Sequence, residues 1–148
     1  MKNFLEFLKS KTILEKFYLK FKNKSIIIIC IWIIFLLIGL TFCFFFAPQD
    51  HQQKEAFKII YVHVPSAFMS IFIYCLMSFF SLVYLTTSIK IFDILAAESA
   101  KTGILYTFLA LLTGSIWAKP MWGTWWVWDA RLLSELILLF LYVGYLHL

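Results

Sequence analysis

The sequence predicts an all-α integral membrane protein with four transmembrane helices, at about 25–46, 65–88, 100–117 and 132–148. Of its 148 residues, 63% are hydrophobic and 14% are charged, whereas soluble globular domains carry about 25% charged residues. The apolar residues fall in long blocks, and about 20 such residues span a bilayer core. The strict apolar–polar alternation of an outer-membrane barrel is absent from the sequence. These observations exclude a soluble domain and favour a helical membrane protein.

The N-terminal segment is strongly basic. Seven of the first 24 residues are lysine, and only Glu6 and Glu15 oppose them. The positive-inside rule assigns such a flank to the cytoplasm, which explains it more simply than nucleic-acid binding does. The apolar run that follows is too long for a signal peptide, and no small-residue cleavage site comes after it. We therefore predict a cytoplasmic segment, 1–24, followed by a membrane domain, 25–148.

The first two predicted spans differ in how they begin and end. Residues 25–46 contain no charged residue and stop at an Ala-Pro pair, which breaks helices. The next apolar run is also free of charge but includes His63 and Pro65. Proline is favoured in the first turn of a helix, so we place this second span at about 65–88.

The predicted topology brings two distant segments to one side of the membrane. Residues 90–101 contain acidic and basic residues and are predicted to form an inner loop. Counting from a cytoplasmic N-terminus puts the loops 47–64 and 118–131 on the outer face. His63 and the second of these loops should therefore lie at the same depth.

The outer loop 118–131 and its approach hold most of the tryptophan of the chain. Tryptophan is a large flat surface with one N–H donor, although it is also enriched at membrane interfaces as an aromatic belt. If the segment is helical, Trp122, Trp125, Trp126 and Asp129 share a face. If it is extended, Trp122, Trp126 and Trp128 share a side. Either geometry predicts a platform for a flat apolar ligand. Five of the six tryptophans fall here: Trp117, Trp122, Trp125, Trp126 and Trp128.

Two kinds of polar residue could complete a site beside this platform. A histidine at membrane depth, such as His63, is often functional, and imidazole is a common ligand of heme iron; the alternative is a plain hydrogen-bonding role. Arg131 could pair with Glu135, four residues on. Alternatively, Arg131 or Lys119 could bind a carboxylate of the ligand. The three cysteines form no C-x-x-C-H sequence, so the chain is not itself a c-type cytochrome.

Two motifs resemble one family. Residues 114–138, with their Trp-Trp-Val-Trp-Asp core, closely resemble the tryptophan-rich WWD region of heme-handling proteins, and 60–67 (Ile-Tyr-Val-His-Val-Pro-Ser-Ala) is similar to the first histidine motif of the heme exporter protein C (CcmC) family. Both motifs, in this order and at this separation, are specific to that family, whereas the WWD region alone also occurs in cytochrome c synthetases. The resemblance covers essentially the whole chain, and the basic segment 1–24 is its least diagnostic part.

The resemblance implies a site, a cargo and partners. It implies that His63 is an axial ligand of b-type, non-covalent heme, held at the periplasmic face. It implies delivery to the heme chaperone CcmE for cytochrome c biogenesis, beside the ABC transporter CcmA/CcmB and the small protein CcmD, in the bacterial inner membrane. The expected role is that of a carrier rather than an enzyme; a heme lyase, a structural subunit and a non-functional fragment are the alternatives. The implied heme-binding residues are Trp117, Trp122, Trp125, Trp126, Trp128, Asp129 and Arg131.

The chain departs from the family pattern in three ways. Family members have six spans where this chain has four, and their second axial histidine lies in a later external loop that this chain lacks. Leu133 occupies a position where a small polar residue is expected. We therefore expect a truncated member of the family, with heme that is five-coordinate or completed by a ligand from a partner.

Overall fold

All the regular structure in the described part of the chain is helical. The computed structural model describes residues 11–147, with side chains from residue 24 onward and those of Tyr18, Phe21 and Lys22. The predicted all-α fold with four apolar helices is confirmed, since each helix contains a stretch long and apolar enough to cross a membrane. The first ten residues of the predicted basic segment, and Leu148, lie outside the described residues. The four helices are α1 (Lys11–Thr41), α2 (Ile60–Thr87), α3 (Lys90–Trp122) and α4 (Ala130–His147).

The chain divides into two compact units, residues 1–47 and residues 48–148. In the first unit, α1 continues into a π-helical turn, Phe42–Phe46, before Ala47 becomes extended. The Phe42 and Phe46 rings lie 5.2 Å apart within this turn. The apolar side chains of α1 from Ile26 to Ile38 are exposed all round the helix, which is the pattern of a lipid-facing span.

In the second unit, α2 and α4 pack against a stripe of small residues on α3. Small side chains let membrane helices approach closely, so that backbone atoms and larger side chains of the neighbours come into contact. The stripe recurs every three or four residues, which is one helical face. Its members, all buried, are Ala96, Ala100, Gly103, Thr107, Ala110, Gly114 and Ala118.

Tyr142 of α4 fixes the middle of this three-helix unit. Its side chain is fully buried, and its hydroxyl donates to the Ser70 carbonyl of α2 at 2.6 Å. Its ring packs edge-on against Tyr74, with centroids 5.7 Å apart, and lies directly over the bare Cα of Gly103. One side chain therefore links all three helices.

The helices extend beyond the spans predicted from the sequence. Residues 60–64, which were expected to be loop, form the first turn of α2 after a short 3₁₀ segment, Glu55–Ile59. The expected inner loop, 90–101, is the start of α3. Its charges do not interrupt the helix, because Glu98 and Lys101 pair across one turn at 2.6 Å on an exposed face.

Candidate functional site

Three helix ends meet at one end of the second unit. The first turn of α2 carries His63, the last turns of α3 carry Trp117, and the first turn of α4 carries Arg131. These three side chains line the same cavities. His63 and the start of the tryptophan-rich segment therefore lie together at this end of the unit.

The His63 ring is seated on α3. Its Nδ1 lies 3.0 Å from the Ala110 carbonyl oxygen and 3.1 Å from Thr113 Oγ1. Gly114 eases this approach, because a Cβ added there would lie 3.1 Å from His63 Cε1, tighter than an ordinary van der Waals contact. Within residues 24–147, His63 Nε2 has no hydrogen-bond partner, and this atom is not fully buried. The atom that remains available for a ligand is therefore Nε2.

Two small cavities flank the His63 ring. The larger, about 210 Å³, is lined by Gln53, Ile59, Ile60, His63, Val64, Trp117 and Arg131. The smaller, about 80 Å³, is lined by His63, Gly114, Trp117, Trp122, Asp129, Arg131 and Leu132. Both are mostly apolar, with one imidazole and one guanidinium in each wall. That composition suits an apolar ligand that also carries an anionic group and an atom that can bind the imidazole nitrogen.

Trp117 forms the wall common to both cavities. Its indole N–H donates to Gln53 Oε1 at 2.9 Å, which anchors the loop before α2 to α3. Its ring meets Trp122 edge to face, with centroids 5.0 Å apart. The Trp117 ring is therefore held from two sides.

The tryptophan segment adopts neither of the two regular geometries expected from the sequence. Gly123, at φ +76°, ends α3 immediately after Trp122, and only glycine adopts this left-handed conformation without strain. The chain from Gly123 to Asp129 is irregular. Trp122 consequently stays on α3 beside the cavities, while Trp125 and Trp128 are 56% and 76% exposed.

Trp126 contacts one of these exposed rings. It packs edge to face with Trp128, with centroids 5.5 Å apart. Its indole N–H is buried, and no hydrogen-bond partner for it lies among the described residues.

The basic residues of the segment have separate roles. The Lys119 ammonium donates to the Gly123 carbonyl at 2.9 Å and lies over the Trp125 ring, so it closes the turn that ends α3. Arg131 stacks over Trp122, with its guanidinium carbon 5.6 Å from the ring centroid, and it lines both cavities. Of the two candidates for a ligand carboxylate, the geometry favours Arg131.

The pairing of Arg131 with Glu135 suggested by their spacing is wrong. Arg131 instead donates from Nε and Nη2 to Asp129 Oδ2, at 3.1 and 2.7 Å. Glu135 has a buried oxygen without a partner among the described residues. Arg131 pairs with Asp129 rather than with Glu135 because Asp129 is fixed as the N-cap of α4, where its Oδ1 accepts the Leu132 N–H at 2.9 Å.

We predict that this cap makes stability depend on pH. The Leu132 N–H, and then the Arg131 guanidinium, hold the pKa of Asp129 below its usual value. The stabilisation that ionised Asp129 gives the folded state is thus complete above the ordinary aspartate pKa of about 3.9. It is lost as the pH falls from there through the lower native pKa. The melting temperature in detergent should fall for Asp129→Ala and less for Asp129→Asn, which keeps the cap. Both differences should shrink below about pH 4; pH-independent differences would contradict the assignment.

Sequence reasoning missed four contributors to this site. Thr113 and Gly114 precede the tryptophan segment and were not selected, although Gly114 opens the stretch that resembles the WWD region. The contribution of Ala110 is a backbone carbonyl, which no residue type can reveal. Gln53 lies in a polar loop with no distinguishing pattern.

Comparisons with known proteins agree on one family. Residues 8–148 match the family model described as "CcmC: Heme exporter protein C". The chain is 50% identical over 116 residues to Heme exporter protein C of Escherichia coli (strain K12), covering 78% of this chain and 47% of that protein. It is 50% identical over 111 residues to the Haemophilus influenzae protein of the same name (75% and 45%), and 45% identical over 104 residues to that of Paracoccus denitrificans (70% and 43%). The chain thus spans about half the length of these relatives.

Proposed function

This chain belongs to the heme exporter protein C family, and on that premise we propose that it binds heme through His63 and presents it for cytochrome c biogenesis. The observation that carries the proposal is the His63 ring, seated by Nδ1 and with Nε2 unpartnered, beside an apolar cavity walled by Trp117 and closed by Arg131. These residues offer one ring nitrogen, flat aromatic surface and one cation in the same place. Heme presents the complementary groups: an iron that accepts imidazole, a flat apolar macrocycle and two carboxylates.

Each residue of the site has a distinct task in this proposal. His63 Nε2 donates its lone pair to the iron. Trp117 and Trp122 cover part of the macrocycle and exclude water, and the Arg131 guanidinium, whose Nε and Nη2 already donate to Asp129, attracts a propionate with its remaining N–H donors. Trp125, Trp126 and Trp128 extend the aromatic surface outside the cavities, and Asp129 holds Arg131 in place.

The size of the cavities supports only partial enclosure of the heme. Pockets that bury drug-sized ligands usually measure about 300–1,000 Å³, and the larger cavity here is about 210 Å³. We therefore propose that these residues form one wall of the site. A second wall, with a second axial ligand, would come from another chain or from a further part of the protein.

We propose that the chain acts as a carrier and not as a catalyst. Heme bound non-covalently at the periplasmic face of the bacterial inner membrane would pass to the chaperone CcmE, beside the ABC transporter CcmA/CcmB and CcmD. The support for these partners is family membership together with the apolar helices that make the chain a membrane protein. An exposed tryptophan segment next to the site is a suitable contact surface for a heme recipient.

We predict that His63→Ala weakens heme binding by more than tenfold and shifts the Soret band of the bound form. The reason is that even loss of a residue that only supports a metal ligand typically weakens binding about 10–100-fold, so loss of the ligand itself should do no less. The measurement is a heme titration of the full chain in detergent or nanodiscs. His51→Ala is the matched control, since His51 is an exposed histidine of the loop before α2.

Chemical rescue sharpens this test. In His63→Gly, free imidazole should enter the vacated space and restore the wild-type spectrum. If His63→Ala and wild type give the same spectrum and affinity, His63 is not the iron ligand and the proposed function fails.

A further inference from the structure

The seat of His63 on α3 determines which ring nitrogen carries the proton. The Ala110 carbonyl oxygen, 3.0 Å from Nδ1, can only accept a hydrogen bond. The Thr113 hydroxyl already donates to the Leu109 carbonyl at 2.6 Å, so its oxygen faces Nδ1 as an acceptor. Two acceptors converging on Nδ1 require a proton there. The neutral ring is therefore the Nδ1–H tautomer, with a bare lone pair on Nε2.

Thr113 is fixed in this acceptor role by its own helix. Its hydroxyl lies within reach of both the Leu109 and the Ala110 carbonyls, at 2.6 and 3.2 Å. Both of these are acceptors, so the hydroxyl proton stays on the α3 side whichever of them it uses. The Thr113 lone pairs are left for the histidine.

We infer that Thr113 is the positioning residue of His63: together with the Ala110 carbonyl it selects the Nδ1–H tautomer, aims Nε2 away from α3 and strengthens Nε2 as an electron donor to iron. The statement about the tautomer holds without heme, whereas the statement about iron rests on the proposed function. Acceptors on the distal nitrogen of a ligating histidine fix its orientation and raise its basicity. A more basic ligand favours ferric over ferrous iron. The seat should therefore bias the site towards ferric heme.

The first experiment needs no heme. Nitrogen-15 NMR of the heme-free full chain, labelled at histidine and assigned by comparison with His63→Ala, reports which ring nitrogen of His63 is protonated. We expect protonated Nδ1 and unprotonated Nε2 in the neutral ring. Protonated Nε2 would overturn the inference, whatever the outcome of heme binding.

The second experiment compares Thr113→Val with Thr113→Ser. Valine keeps the shape of threonine but cannot accept a hydrogen bond, and serine keeps the hydroxyl. Thr113→Val should lower ferric heme affinity about tenfold, the lower end of the effect of losing a supporting group, because the Ala110 carbonyl remains. Ferrous affinity should fall less, so the reduction potential should rise, and Thr113→Ser should restore both values.

Thr107→Val is the matched control. Thr107 is a buried threonine of the same helix whose hydroxyl donates to the Gly103 carbonyl at 2.8 Å. A merely structural effect would change the ferric and ferrous affinities equally, in both valine variants. The inference fails if Thr113→Val matches Thr107→Val in the ratio of ferric to ferrous affinity, or if Thr113→Ser does not restore it. Failure of the proposed function would instead appear as heme binding that is indifferent to His63→Ala.

Discussion

Gly103→Ala is expected to destabilise the three-helix unit by about 3 kcal/mol, the upper end of the usual effect of overpacking a core. A Cβ at position 103 would overlap the ring of Tyr142, which is fully buried and tied by its hydroxyl to Ser70. The ring cannot turn away without losing that hydrogen bond, and the added Cβ is fixed directly to the α3 backbone and cannot move aside. The measurement is the melting temperature of the detergent-solubilised full chain.

Gly144→Ala provides the control for this substitution. Nothing lies within 4 Å of a Cβ added to Gly144 of α4, so alanine there should be neutral or stabilising by up to about 1 kcal/mol through helix propensity. In a double-mutant cycle, Tyr142→Ala should relieve the Gly103→Ala defect, because neighbours in contact are not additive. Additive effects, or equal melting temperatures for the two glycine variants, would contradict the packing described here.

The membrane fold could be predicted from the sequence because it depends on composition and block length. A charge-free run such as 25–46 has no stable place except lipid or a core, and its backbone must then be helical. The ends of the helices were less predictable. Hydropathy reports where a helix is apolar, not where it stops, so the charges of Glu98 and Lys101 predict a loop, although these two side chains pair on an exposed helical face.

The site could be predicted only where a side chain carries the chemistry by itself. His63, Trp117 and Arg131 were expected from residue type and topology, and they line the same cavities. The contacts that hold the His63 ring could not be predicted from the sequence. They are the Ala110 carbonyl, the Thr113 hydroxyl and the space left by Gly114, and they surround His63 only when α2 packs on α3. The shape of the tryptophan segment depended on one dihedral angle, at Gly123, which separates Trp122 from the exposed rings that follow.

Trp117→Ala is expected to weaken heme binding about 30-fold. Truncation of a central aromatic anchor typically costs about 2 kcal/mol or more, and 1.4 kcal/mol corresponds to a factor of ten. Trp117 meets this description because it lines both cavities, contacts Trp122 edge to face and bonds to Gln53 of the loop before α2. Trp117→Phe, which keeps an aromatic wall but loses the indole N–H, should lose less. Heme titration of the full chain measures both variants.

Trp32→Ala is the matched control for the loss of one indole, since Trp32 lies in α1 and is 58% exposed. If the tryptophans served only as an interfacial belt, substitutions at Trp32 and Trp117 would change the stability of the protein, and the two variants would have the same heme affinity. A heme site predicts a different order of heme affinities: Trp117→Ala should bind heme most weakly, Trp117→Phe should be intermediate, and Trp32→Ala should equal the wild type. Trp128→Ala adds a graded comparison, because its 76% exposed ring should contribute less than Trp117 if enclosure, rather than aromatic surface alone, retains the heme. Equal affinities for Trp117→Ala and Trp32→Ala would show that the wall beside His63 does not hold the ligand.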